Sequence, residues 1–295
     1  ITFDATKATY TGGAGVDAVT TSAIAPTKAI SLGVGNDSLT LASGTTAVTG
    51  AISGGDGTDT LVMVAADIVT ADNDLAFSSL VTGFEALTVT GGIGAQAINL
   101  TNMAITSNIT VATGAGTLTV NNIANGGTLT LTGDRAGDGV TLVNALFGAV
   151  AATADVINVT MGAAAGFDGG TVTAANVETI NLAALDLYTT ASAHTLALVA
   201  DKATTLNVTG NAGAALTLTS SVKLATLDAS ASTGAVSATS VSTAAITMKG
   251  GSAGDSFTAN GTTASTLIGN GGADTLITNA GLSTLTGGEG SDLFV

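Results

Sequence analysis

The chain has no cysteine and no tryptophan, one proline, one histidine and only 6 basic residues among 295. Without cysteine there can be no disulfides, no thiolate metal ligands and no cysteine nucleophile. The lone histidine, His194, has no nucleophile-elbow pattern to complete a Ser-His-Asp set; beside the strand Leu196–Leu198 it reads as a surface or turn residue. No apolar run is long enough to cross a membrane. Ile1–Tyr10 lacks the basic start and apolar core of a signal peptide, and the absence of an initiator methionine suggests a mature or excised fragment. With 21 acidic residues the formal charge is -15, which lacks the positive patches that nucleic acid and anionic lipid require. Neither nucleic-acid binding nor membrane insertion is expected, and with no catalytic or cofactor-binding constellation the chain reads as a non-enzyme.

What is abundant is glycine, 40 residues, and medium aliphatics within a hydrophobic share of 45%. That is too apolar for a charge-rich disordered chain and too poor in large side chains for one thick core. A thin aliphatic core repeated many times satisfies both facts. A Gly-Gly-x-Gly-x-Asp pattern occurs in full at Gly12–Asp17, Gly54–Asp59 and Gly287–Asp292, and in part at Leu32–Asp37, Gly250–Asp255 and Gly269–Asp274. Successive motif aspartates are 20 and 22 residues apart in the first block and 19 and 18 in the last. This is close to the roughly 18 residues of one turn of a two-sided parallel roll. The aspartates are expected to stack down one edge, one rung about 4.8 Å above the next.

Between the blocks, triplets such as Leu87-Thr88-Val89, Ile157-Asn158-Val159 and Leu216-Thr217-Leu218 recur, many about ten residues apart. Two aliphatics flank a small polar residue, placing the aliphatics inward and the polar residue outward. The expectation is an all-β, right-handed parallel β-solenoid with two strands per turn and about fifteen turns of roughly 20 residues. Three stretches break the beat and suggest lateral insertions: 67–84, expected to hold a short helix or loop, 142–151 and 167–178. The organisation expected is acidic motif turns over 1–66, a strand-rich solenoid over 67–248, and motif turns again over 249–295.

The motif has a mechanical reading. Glycines permit positive φ, so turn carbonyls can converge, and the aspartate adds a carboxylate. Calcium takes six to eight oxygen ligands and needs neither histidine nor cysteine, and ions shared between adjacent turns would couple binding to folding. The candidate metal residues are Gly13, Gly15, Asp17, Gly35, Asp37, Gly55, Gly57 and Asp59 in the first block. In the last they are Gly251, Asp255, Gly272, Asp274, Gly288, Gly290 and Asp292. At Gly91–Gln96 the aspartate is replaced by Gln96, so the turn is expected to keep its shape and bind weakly or not at all. In Gly133–Asp138, Arg135 puts positive charge where a cation would sit. Glu85 and Glu178, in Gly-Phe-Glu-Ala-Leu-Thr-Val and Asn-Val-Glu-Thr-Ile-Asn-Leu, read as a repeated element preceding a strand, with a glycosidase carboxylate pair as the alternative. No Gly-Lys-Ser/Thr follows the glycine-rich turns, so they are not phosphate loops.

These motifs resemble the repeats-in-toxin (RTX) family, with its Gly-Gly-x-Gly-x-Asp-x-aliphatic-x nonapeptide. That resemblance implies calcium held by turn carbonyls and by Asp17, Asp37, Asp59, Asp255, Asp274 and Asp292. The chain departs from the family in carrying one copy per twenty or so residues. The Ala/Thr/Gly-rich strands and Thr82–Thr90 look like bacterial surface-layer proteins of the Caulobacter type. This implies type I secretion, a cell-surface location, a calcium-dependent two-dimensional homo-oligomeric lattice, and an anchor to cell-surface polysaccharide through a region outside this chain. A calcium-dependent adhesin, the non-catalytic segment of a secreted hydrolase and an ice-binding threonine face remain open alternatives.

Overall fold

The computed structural model describes the chain apart from residues 46, 106, 113, 115, 148–153, 188–191 and 280–281. Contacts divide it into two compact units, Ile1–Gly127 and Thr128–Val295, and every strand pairing within each is parallel. The architecture is the expected all-parallel β-solenoid. Between them the units make about 13 turns of about 22 residues, fewer and longer than fifteen turns of 20.

In the first unit one sheet takes a strand from each turn: Thr2–Phe3, Ala18–Thr21, Ser38–Thr40, Thr60–Val64, Ala86–Thr90 and Asn108–Val111. The return strands Tyr10–Thr11, Ile30–Val34, Ile52–Asp56 and Val81–Thr82 form a second sheet, and Gln96–Asn99 pairs with Thr117–Asn121. In the second unit the first sheet runs from Thr128–Leu131 to Thr284–Glu289 and the facing sheet from Gly139–Val143 to Leu293–Phe294, with eight described strands in each.

Period-two alternation supplies the core. In the first unit Val19, Leu39, Leu61, Leu87 and Ile109 stack as one fully buried column. In the second, Ile157, Ile180, Leu206, Leu227, Met248 and Leu267 form its counterpart. Each such side chain contributes about 1.5–3 kcal/mol by burial, so stability accrues turn by turn. Outward positions carry β-branched or amide ladders. Thr179, Thr205, Thr226, Thr247, Thr266 and Thr284 pair in successive strands. Next to them, the Asn181 and Asn207 side-chain amides each donate to the asparagine one turn earlier, at 2.9 Å.

The break at 67–84 is helical, as expected: Ala65–Ala71 and Leu75–Leu80 are inserted between two strands. Asp74 caps the second helix through the Ala76 N–H. Buried Asp67 and Asp72 tie the insertion down, accepting from the N–H groups of Gly44, Thr45 and Asn99. The expectation at 167–178 is corrected. Asp168–Ala174 is a regular strand of the facing sheet, its alternation disguised by Gly169 and Gly170 and by a register shift between Asp168 and Thr171. At 142–151, Leu142 and Val143 end a strand and Asn144–Phe147 turn; residues 148–151 lie outside the described residues.

Candidate metal centre

Each motif aspartate stands immediately before a strand, and one of its oxygens reaches back a whole turn. Asp37 Oδ1 accepts from the Asp17 N–H and Asp59 Oδ1 from the Asp37 N–H, both at 2.8 Å. Asp255 Oδ1 accepts from Val236 N–H, Asp274 Oδ1 from Asp255 N–H and Asp292 Oδ1 from Asp274 N–H, at 2.7, 2.7 and 3.1 Å. The aspartates expected to stack therefore do so within each block.

Within each unit they mark one kind of connection between strands. Asp17, Asp37 and Asp59 lead into strands of the first sheet. Asp255, Asp274 and Asp292 lead out of the first sheet into the facing one. In the last turns the edge leading back to the first sheet carries hydroxyls instead. Ser265 Oγ accepts from the Ile246 N–H and Ser283 Oγ from the Ser265 N–H.

The second oxygen of Asp17, Asp59, Asp255, Asp274 and Asp292 turns toward the first glycine of its own motif, a position that Leu32 holds in the motif of Asp37. A Cβ at Gly54 would overlap the Gly83 carbonyl oxygen and stand 2.6 Å from Asp59 Oδ2. A Cβ at Gly12 would meet Asp17 Oδ2 and the Leu32 carbonyl; at Gly250, Asp255 Oδ2 and the Gly269 carbonyl; at Gly269, Asp274 Oδ2 and the Gly287 carbonyl. A carboxylate oxygen of one turn and a carbonyl oxygen of the next thus converge on a bare Cα. Gly12, Gly54, Gly250 and Gly269 are essential to this arrangement, and sequence reasoning favoured their neighbours instead. Of those neighbours, Gly55 and Gly57 have φ of 113° and 141° and need glycine for conformation. Gly35, Gly272, Gly288 and Gly290 behave likewise, whereas Gly13 and Gly15 have open space where a Cβ would lie. Gly251 contributes its N–H, which donates to Asp255 Oδ2 at 2.7 Å.

Asp37, Asp59, Asp255 and Asp274 are buried, while Asp17 and Asp292 are half-exposed. Oδ2 of Asp37, Asp59 and Asp274 is buried with no hydrogen-bond partner. Burial pushes the carboxyls of Asp59 and Asp274 above the usual range and that of Asp255 up to about 6, with neighbouring carboxylates adding to each. Buried carboxylate oxygens without donors are costly and suit a hard cation. Among the described residues no three acidic or histidine side chains gather to hold a metal ion. A cation here would draw its remaining ligands from the turn carbonyls, which calcium accepts readily.

The same backbone-to-side-chain bond recurs with other residues. Glu85 Oε2 accepts from the Asp59 N–H at 2.8 Å and Glu178 Oε2 from the Asp155 N–H at 3.0 Å, across turns of 26 and 23 residues. They are the repeated element the sequence suggested, each engaged by the backbone of its own unit. His194 corrects its surface assignment. It is wholly buried against Phe167, ring centroids 4.5 Å apart. Its Nδ1 faces the Phe167 N–H at 3.4 Å and its Nε2 the Leu185 carbonyl at 3.0 Å, so it fills the rung that aspartates fill later on the same edge. The turn Gly91–Gln96 also departs from expectation. Positive φ falls at Gly91 and Gly94, not at Gly92, so the turn differs in shape from Gly54–Asp59 and Gly287–Asp292, where it falls at the second and third glycines.

No protein-family model and no curated protein matches the sequence. The fold and its acidic turns place the chain in a class, the all-parallel β-solenoids, consistent with RTX-like architecture. Among the described residues no helix is long and apolar enough to cross a membrane.

Proposed function

We propose that this is a secreted structural protein whose acidic turns bind calcium and which assembles at the cell surface into an S-layer-like lattice. The observation that carries the reading is the buried, unpartnered Oδ2 of Asp37, Asp59 and Asp274 in stacked turns. Calcium there supplies positive charge and multiple oxygen coordination, joining one turn to the next. The chain's own groups do the rest. The glycines bring carbonyls to the carboxylates, and each Oδ1 holds the preceding turn in register. The formal charge of -15 supports a cation-dependent assembly, because copies would otherwise repel, and bound calcium offsets charge within and between them. The lattice and its export rest on the resemblance of the motifs and strands to surface-layer proteins.

Electron microscopy and light scattering of the purified protein, in calcium and in excess EGTA, test this reading. Sheets are expected in calcium, with dispersal and lower β content in EGTA. Unchanged β content after rigorous calcium removal sinks the binding claim. Calcium-bound particles that never form arrays sink the lattice claim and leave the adhesin reading.

A further inference from the structure

The turn Gly133–Asp138 occupies the same place in its coil as Gly250–Asp255. Each leaves a strand of the first sheet and enters the facing sheet directly, at Gly139–Val143 and Ser256–Ala259. The buried charge in the two turns is of opposite sign. In the later turn it is the Asp255 carboxylate, which draws in the Gly251 N–H. In the earlier turn it is the Arg135 side chain, 1% exposed, with Nη2 3.4 Å from the Gly139 carbonyl oxygen, while Asp138 is only half-buried.

The backbone closes around that side chain. The Arg135 N–H donates to the Asp168 carbonyl at 2.7 Å, the Asp138 N–H to the Arg135 carbonyl at 2.9 Å, and the Thr171 N–H to the Asp138 carbonyl at 2.8 Å. Asp134 Oδ1 accepts from the Asp168 N–H at 2.9 Å. Gly170, at φ 71°, lets the next turn pack against the Arg135 and Asp138 carbonyls, where a Cβ would collide with both. Burial lowers the Arg135 pKa and the Asp138 charge opposes this; a guanidinium remains protonated throughout.

We infer that Arg135 is a built-in cation, which takes at this turn the place that bound calcium takes at the acidic turns, so that Gly133–Gly139 keeps its shape without metal. The comparison with calcium rests on the function proposed above; the part played by the guanidinium does not. A metal ion entering this turn would meet a like charge in a poorly screened interior.

Amide hydrogen exchange on the full chain, in calcium and in EGTA, tests the inference. The Arg135, Asp168 and Thr171 amides are expected to hold their protection when calcium is withdrawn, while the Gly251, Asp255 and Asp274 amides lose theirs. In calcium, Arg135→Lys, which keeps the charge, retains protection at Thr171. Arg135→Gln, which keeps hydrogen-bonding capacity without charge, loses roughly tenfold or more. Intact protection at Asp255 reports that the variant remains folded. The inference is overturned if the Thr171 amide opens with calcium removal in the unaltered chain, or if the two variants behave alike. Should the Asp255 and Asp274 amides ignore calcium, the calcium reading falls by itself, and the two Arg135 variants still decide the role of the guanidinium.

Discussion

Oδ1 of Asp59 lies 2.8 Å from the amide nitrogen of Asp37, 22 residues earlier in the chain, while Oδ2 of the same carboxylate is buried without a partner. One side chain thus combines a satisfied half that fixes register with an unsatisfied half, the one that the proposed calcium would engage. Asp59→Ala removes both and leaves the Asp37 N–H unpaired, at an expected cost of about 1–3 kcal/mol. Asp59→Asn keeps an acceptor and removes the charge. It is expected to be more stable than the unaltered protein in EGTA and to gain less from added calcium. Thermal denaturation of the three proteins, with and without calcium, checks this ordering.

The glycines separate into positions that tolerate a side chain and positions that do not. Gly54→Ala drives a methyl group into the Gly83 carbonyl and toward Asp59 Oδ2, with an expected loss of about 1–3 kcal/mol or more. Gly13→Ala points its methyl group into open space and is expected to stay within about 0.5 kcal/mol of the unaltered protein. Urea denaturation of both distinguishes this arrangement from a general need for glycine in the motif.

Metal-free stability is expected to fall as pH rises. Burial lifts the Asp255 carboxyl to about 6, the Asp274 charge adds to this, and the N–H groups of Val236 and Gly251 oppose it. An acid whose folded pKa exceeds its unfolded value holds its proton more tightly in the native state. Its stabilising contribution is therefore present at about pH 4 and is lost as pH climbs through about 6. In EGTA the melting temperature should decline across this window, and Asp255→Asn should flatten the decline. A rising melting temperature over the same range in EGTA contradicts the burial argument.

His194 is expected to be structural. His194→Ala opens space beside Phe167 and removes the ring nitrogens facing the Phe167 N–H and the Leu185 carbonyl. The expected loss is about 2–4 kcal/mol, read by urea denaturation in calcium. A change below about 0.5 kcal/mol would place the ring outside the set of residues that hold successive turns together.

The fold was legible because a parallel coil writes itself as short alternating triplets. Leu39, Ile180, Leu206 and Leu227 each stand between polar neighbours whatever lies in the intervening turn. Asp168–Ala174 escaped because Gly169 and Gly170 contribute no hydrophobic signal at the bulge. The motif aspartates were legible as ligand candidates because glycine and aspartate recur around them. Glu85, Glu178 and His194 make the same bond, but they share a geometric slot and not a residue type. Their partners lie 26, 23 and 27 residues away, across turns of unequal length. Nor does the motif state which strand precedes it, so the strand that each copy leads into had to come from the structure.

The ladders of the motif aspartates have a direction. In each of their rungs the acceptor belongs to the later turn and the N–H to the earlier one. Deleting turns from the two sides of such a ladder is therefore not equivalent. Loss of an earlier turn frees a carboxylate, which water can solvate. Loss of a later turn removes the carboxylate itself and leaves the backbone N–H that it served to water. A series of truncations should therefore be unequal in stability for equal numbers of residues removed.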